Sequence, residues 1–276
     1  MIKTRPILSF ISVLLFGTIA FGQVTISPTS LFVDSQKRFE TLLILNPSET
    51  PQEVKLTWEF GYPKTNEAGD IKYIYDDEAR AAESSAADWI RGFPKNFILE
   101  AGARQTIRIT VKSPRNIKDG TYWARLRTTS SPVSPPIGTN KEGEVSANIT
   151  FQFNQVTGVF YQHGDLTTGL EISNVQAEIK NQQLQLFTSY EKSGNSPYLG
   201  TLSAKIYDTD GELVLSEQNL VSIYYDGLRR IDLPASDLLA GTYEYEVSFT
   251  SGRSDINEQN TISAPPSTAR GTFTKP

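Results

Sequence analysis

The chain is predicted to be all-β, with two β-sandwich domains in tandem. Three observations predict it. Short segments with apolar residues at every second position recur along nearly the whole sequence, the period of a half-buried strand. They are separated by Gly, Asn, Asp and Pro turns. They also fall into two sets, and a tetrapeptide of the first, Asp119-Gly120-Thr121-Tyr122, recurs in the second as Ala240-Gly241-Thr242-Tyr243.

The first set opens with residues 24–33, where Pro28 points to an edge strand or one that switches sheets. Residues 39–45 follow and stop at Asn46-Pro47. In 54–60, Val54, Leu56, Trp58 and Phe60 alternate with Lys55, Thr57 and Glu59. Residues 71–75 form a short strand, and the Ala-rich stretch 78–87 suits one or two helical turns. From 93 to 127 the order is strand, Gly turn, strand, Pro/Gly connection, strand, with Ile107, Ile109 and Val111 alternating against Arg108 and Thr110. Gly102 and Gly120 precede strands where a turn needs conformational freedom. Trp58, Phe60, Leu99, Ile109, Tyr122 and Leu126 are expected to share one buried side. A Pro/Ser-rich loop, 130–140, leads to a long strand over 145–161.

The second set comprises 170–179, 183–190, 199–207, 213–225, 229–233 and 243–249. Asn181-Gln182, Gly194-Asn195 and Asp210-Gly211 supply its turns. The repeated Gly-Thr-Tyr marks equivalent corners, where a tyrosine hydroxyl ties back to the backbone. The expected boundaries are 1–22 for a signal peptide, 23–164 and 165–253 for the two sandwiches, and 254–276 for a polar tail.

Residues 1–22 carry Lys3 and Arg5 before a short apolar run and end in Ala20-Phe21-Gly22, the form of an export signal cleaved before Gln23. No cysteine is present, which removes disulfides, thiolate metal sites and a lipoprotein anchor. An exported, cysteine-free protein fits a bacterial periplasm; the cell surface or the medium is the alternative. The net charge of −5 without a basic run gives no footing for nucleic acid. No later run is long enough to span a membrane.

Catalytic chemistry has little to build on. His163 is the single histidine, with no serine, acid or metal spacing around it. Asp70 and Asp76-Asp77-Glu78 read as solvated acids, and Asp208-Thr209-Asp210-Gly211 as a hairpin turn rather than a calcium loop. The expectation is a non-enzymatic protein without cofactor or metal. Val145, Ala147, Ile149, Phe151 and Phe153 face one way along their strand. That face belongs either to a sandwich core or to a strand lent to a partner by β-addition.

The order of residue types over 24–161 resembles the first domain of PapD-like periplasmic pilus chaperones. The resemblance rests on Val24-Thr25-Ile26-Ser27-Pro28-Thr29, on Leu45-Asn46-Pro47-Ser48, on Phe97-Ile98-Leu99-Glu100-Ala101-Gly102 with Ile107-Arg108-Ile109, and on Val159-Phe160-Tyr161. It implies immunoglobulin-like sandwiches and, as partners, exported pilus-like or surface subunits. It also implies that 145–153 is the strand offered to the client, through Val145, Ala147, Ile149, Phe151 and Phe153. The family holds a client carboxylate with a basic pair, and the matching positions here are Ser30 and Gly158; a further basic position is Gln162. Asp119 matches. Two functions follow: a divergent periplasmic chaperone, or a structural or adhesive envelope protein of tandem immunoglobulin-like modules.

Overall fold

The computed structural model describes residues 23–133 and 151–276. Its first half is a sandwich of two antiparallel-dominated sheets. One sheet contains β1 (Thr25–Ser27), β3 (Phe39–Leu45), β9 (Arg104–Val111) and β7 (Ile90–Phe93), in that order. The other contains β2 (Ser30–Asp34), β11 (Phe153–His163), β10 (Gly120–Pro132), β4 (Gln52–Glu59) and β8 (Asn96–Leu99). A hairpin of β5 (Tyr62–Thr65) and β6 (Ile71–Ile74), then a single helix α1 (Glu78–Ser84), interrupt the run between β4 and β7.

Pro28 marks the place where the opening segment changes sheets. Thr25–Ser27 pairs antiparallel with β3, whereas Ser30–Asp34 pairs parallel with β11. One expected strand is thus two, in opposite layers. The layers meet over Leu42, Ile44, Leu56, Ile107, Ile109 and Leu126, all fully buried. Trp58 and Tyr122 pack against this core and Leu99 lies within it. Phe60 does not: β4 stops at Glu59, and Phe60 turns to the other side of the sheet, with its ring 5.5 Å from that of Trp123.

The second half is also a sandwich. One sheet orders β12 (Gly169–Lys180), β13 (Gln183–Ser193) and β16 (Gly227–Pro234). The other orders β15 (Leu213–Ile223), β14 (Tyr198–Tyr207), β17 (Gly241–Ser251) and β18 (Ser267–Lys275). Asn181 and Gln182, both at positive φ (52° and 62°), make the two-residue turn between β12 and β13, the twist such hairpins prefer. Asp208 Oδ1 accepts from the amides of Asp210 and Glu212, so the acidic turn there is satisfied by its own backbone.

The repeated tetrapeptide does the same work twice. Tyr122 donates to the carbonyl of Lys118 at 3.1 Å, and Tyr243 to that of Leu239 at 3.0 Å, each four residues back.

The stretch from Ser254 is no loose tail. Its Ser267–Lys275 forms β18, an edge strand paired with β17 from Phe249↔Ser267 to Gly241↔Lys275. Its inward positions are Ser267, Ala269, Gly271 and Phe273, small residues with one aromatic, which is why its alternation reads as polar. Gly271 is required: a Cβ there would lie 2.3 Å from the Tyr245 hydroxyl across the ladder. Phe273 stacks on Tyr243 at 5.6 Å, and Lys275 Nζ donates to the carbonyls of Ala235 and Leu238. Phe273→Ala is therefore expected to cost about 3–5 kcal/mol of second-domain stability. Urea denaturation monitored by circular dichroism measures it, and a loss below about 1 kcal/mol would return the segment to the status of a tail.

Candidate functional site

Two features stand apart from ordinary sandwich packing: an open strand edge and a sealed domain junction. The edge belongs to β11. On one side its eleven residues pair with β10, from Phe153↔Ser130 to His163↔Gly120. On the other side β2 covers only Gly158 to Gln162, because the chain leaves this layer at Pro28. Among the described residues, Phe153–Thr157 has no neighbour on that side. Gly158 donates its amide towards Thr29 O at 3.3 Å, so strand alternation directs the amides of Val156 and Asn154 outward along the same edge.

The expected partner-binding residues divide accordingly. Val145, Ala147 and Ile149 lie outside the described residues. Phe151 precedes β11 and is 66 % exposed. Phe153 begins β11, half-buried, on the side that carries Val159 and Tyr161 into the core. The strand expected over 145–161 is thus described only from Phe153.

The apolar core runs out where the edge opens. On the inner face of β10, Leu126 gives way to Thr128 and Ser130, and on β11, Val159 gives way to Thr157 and Gln155. Thr128 Oγ1, Ser130 Oγ, Gln155 Oε1 and the nearby Gln52 Oε1 are buried and lack hydrogen-bond partners among the described residues. An unpaired buried hydroxyl costs about 1–3 kcal/mol, whereas an apolar group of the same shape costs nothing comparable.

The junction is the reverse, with most of its polar groups paired. Phe32, Phe60, Tyr62, Trp123 and Phe160 of the first domain enclose Leu199, Tyr224 and Ile256 of the second. Phe32 and Phe160 stack at 4.9 Å, and Trp123 meets Tyr224 at 4.7 Å. These residues alternate with core residues on β2, β10 and β11, so the sheet is buried on both faces at this end. The Gly61 carbonyl accepts from Trp123 Nε1 (3.1 Å) and Arg125 Nε (3.0 Å), and Arg125 Nη2 reaches the Tyr224 hydroxyl at 2.8 Å. Arg125 is buried without a carboxylate and sits across from Gly158, where a Cβ would lie 3.2 Å from its Nη1. Gly158 in turn pairs with Ser30, so the two positions without positive charge are neighbours.

A second set of contacts closes the outer side of the junction. Thr121 binds Asn195 O through its amide (3.1 Å) and Ser196 Oγ through its hydroxyl (2.8 Å). Asn195 Nδ2 donates to Asp119 O and Asp165 O. From the hairpin, Thr65 Oγ1 and Ala68 O receive Arg229 and Arg230. Asp77 caps α1 through Arg80 N and accepts from the Tyr62 hydroxyl at 2.6 Å, which holds its carboxyl below the usual range. Sequence reasoning missed Tyr62, Arg125, Tyr224 and Arg229; the one available signal was Arg125, a charge directly after the consecutive apolar residues Tyr122-Trp123-Ala124. His163 closes β11 and stacks on Tyr161.

Between α1 and the β15–β16 turn a crevice of about 290 Å³ remains, lined by Arg80, Trp123, Lys192, Asn195, Tyr225 and Asp226 among others. Burial drives the Lys192 amine down to about 8, against the opposing pull of the Asp226 carboxylate. Among the described residues no cluster of acids or histidine could hold a metal ion, and no helix is long and apolar enough to cross a membrane.

Two outcomes are expected. Thr128→Val should leave stability unchanged or raise it by up to about 1 kcal/mol in urea denaturation, because it removes an unpaired hydroxyl; a loss of that size would show that the hydroxyl is paired. For Lys192, the unfolded chain keeps its proton up to the ordinary lysine value of 10.5 while the folded chain loses it near 8. The unfolded state therefore binds more protons in that window, and stability rises with pH. Relative to Lys192→Met, wild type should gain stability from about pH 7.5 to about pH 9.5; a constant difference would place the amine in water.

No protein-family model matches the chain, and no curated protein does. Solved structures are similar to it. One is the YadV chaperone, at 12% identity over 90% of this chain and 98% of that one, with a TM-score of 0.43. Another is a chain of the CsuC–CsuE chaperone–tip adhesion subunit pre-assembly complex from the archaic chaperone-usher Csu pili of Acinetobacter baumannii, at 12% identity over 84% and 94%, with a TM-score of 0.45. A third is the Escherichia coli chaperone DraB, at 13% identity over 92% and 98%, with a TM-score of 0.41.

Proposed function

We propose that the protein is a periplasmic chaperone that binds exported pilus-like or surface subunits by strand addition along the open edge of β11. The carrying observation is the one-sided pairing of Phe153–Thr157 among the described residues. An extended client segment laid there gains main-chain hydrogen bonds at Val156 and Asn154, and Phe151 and Val156 offer exposed apolar surface beside it. The resemblance of 24–161 to pilus chaperones supports this use of the strand. Ser30 and Gly158 carry no charge to hold a client carboxylate, so binding does not depend on a free C-terminus.

The second reading, a structural or adhesive envelope module, draws on the junction. An aromatic seal with buried arginines suits a rigid spacer as well as a chaperone.

Val156→Pro separates the two. It removes an outward-facing amide and leaves the ladder to β10 alone, a substitution that strand edges tolerate. The variant should melt close to wild type and lose recovery of exported subunits from periplasmic extract, as should Phe151→Asp. Clients with free and amidated C-termini should be recovered equally by wild type. Undiminished recovery by folded Val156→Pro would remove β11 as the site, and no specific recovery by wild type would favour the structural module.

A further inference from the structure

The crevice between α1 and the β15–β16 turn is built differently from the rest of the junction. Elsewhere most polar groups meet a partner; here donors are in excess. Lys192 Nζ spends one proton on Gly194 O at 2.8 Å and has no carboxylate within ion-pair distance among the described residues. The Arg80 guanidinium lies 4.1 Å above the Tyr225 ring, and its only ion pair among the described residues is a 3.4 Å contact with exposed Glu83. The Tyr225 hydroxyl, buried beside Ser84, meets no partner at hydrogen-bonding geometry.

Most of the acceptors are already engaged. Asp226 takes the Lys192 amide at 2.7 Å, and Asn195 Oδ1 takes Thr167 N and Ser196 Oγ. Two cations, Arg80 and Lys192, face one carboxylate, Asp226, in a space of about 290 Å³. In a partly desolvated cleft, unpaired donors and surplus positive charge favour an anion whose oxygens accept several hydrogen bonds. The rigid walls, Trp123 buried in the junction and Tyr225 held under Arg80, mean that little ordering is needed on binding.

We propose that this crevice is a binding site for a carboxylate, paired by Arg80 and Lys192 and hydrogen-bonded by the Tyr225 hydroxyl. The carboxylate comes either from a small free acid or from an acidic side chain of a bound polypeptide. The site is separate from the β11 edge, and its occupancy does not require a client strand there.

The probes are N-acetyl-glutamate amide and its glutamine counterpart, titrated calorimetrically into the mature protein. A second pair is a ten-residue Gly/Ser peptide with one central Glu or Gln and blocked ends. The glutamate forms should bind and the glutamine forms should not. Lys192→Met and Arg80→Met should each weaken binding about tenfold or more, the loss of one charge-assisted bond. Lys192→Arg should restore most of it, which a merely misfolded Met variant would not allow. Binding by the small probe alone assigns the site to free acids; binding by both assigns it to polypeptide side chains. Equal binding of Glu and Gln probes, undiminished binding by folded Met variants, or no heat with either probe at millimolar concentration would overturn the proposal.

Discussion

The backbone carbonyl of Gly61 is the point on which the arrangement of the two domains depends. It accepts from Trp123 Nε1 and from Arg125 Nε, the two polar groups that the outer face of β10 brings into an otherwise aromatic junction. Without that carbonyl, an indole N–H and part of a guanidinium would be buried unpaired, at a cost no stacking of rings offsets. A glycine is needed to present it, since a Cβ at position 61 would strike the Tyr75 ring at 2.6 Å. Once Arg125 is satisfied on that side, its far end is free to hold the Tyr224 hydroxyl, and the second domain is fixed to the first.

The same face explains a composition that is otherwise puzzling. Leu31-Phe32-Val33, Tyr122-Trp123-Ala124 and Val159-Phe160-Tyr161 are apolar at consecutive positions, not alternate ones. One set of side chains fills the sandwich and the other fills the junction. A sheet covered on both faces reads as a continuous apolar run. Along the same strands the pattern relaxes to Thr128, Ser130, Thr157 and Gln155, and there, among the described residues, the sheet is open at its edge.

Much of the fold was legible because strand periodicity and turn chemistry are local. The six strands from β12 to β17 fall within a few residues of their expected bounds, and the paired tyrosine corners were visible as a repeated tetrapeptide. Pro28 announced a change of layer. What local pattern could not carry was partnership. Phe60 continues the alternation of Val54, Leu56 and Trp58, yet the strand ends before it and it serves the junction. β18 turns Gly271 and Ala269 inward because Tyr245 and its neighbours already fill the space, so its sequence looks polar. Arg125 and Lys192 are ordinary charged residues until the two domains close on each other. Of the expected partner residues, Phe151 and Phe153 are placed beside the open edge, and Val145, Ala147 and Ile149 lie outside the described residues.

The parallel pairing of β2 with β11 has a consequence for how the protein is made. Ser30 finds its partner at Gly158, with the rest of the domain in between. Contacts so distant in sequence are slow to form, because the closure entropy falls due before the contact rewards it. A chain made amino end first holds β2 unpaired until the whole of β11 has followed. In that interval Phe32 and the inner face of β10 are uncovered together. The first domain is thus itself an unfinished sheet while it is being made, and its last strand is the piece that completes it.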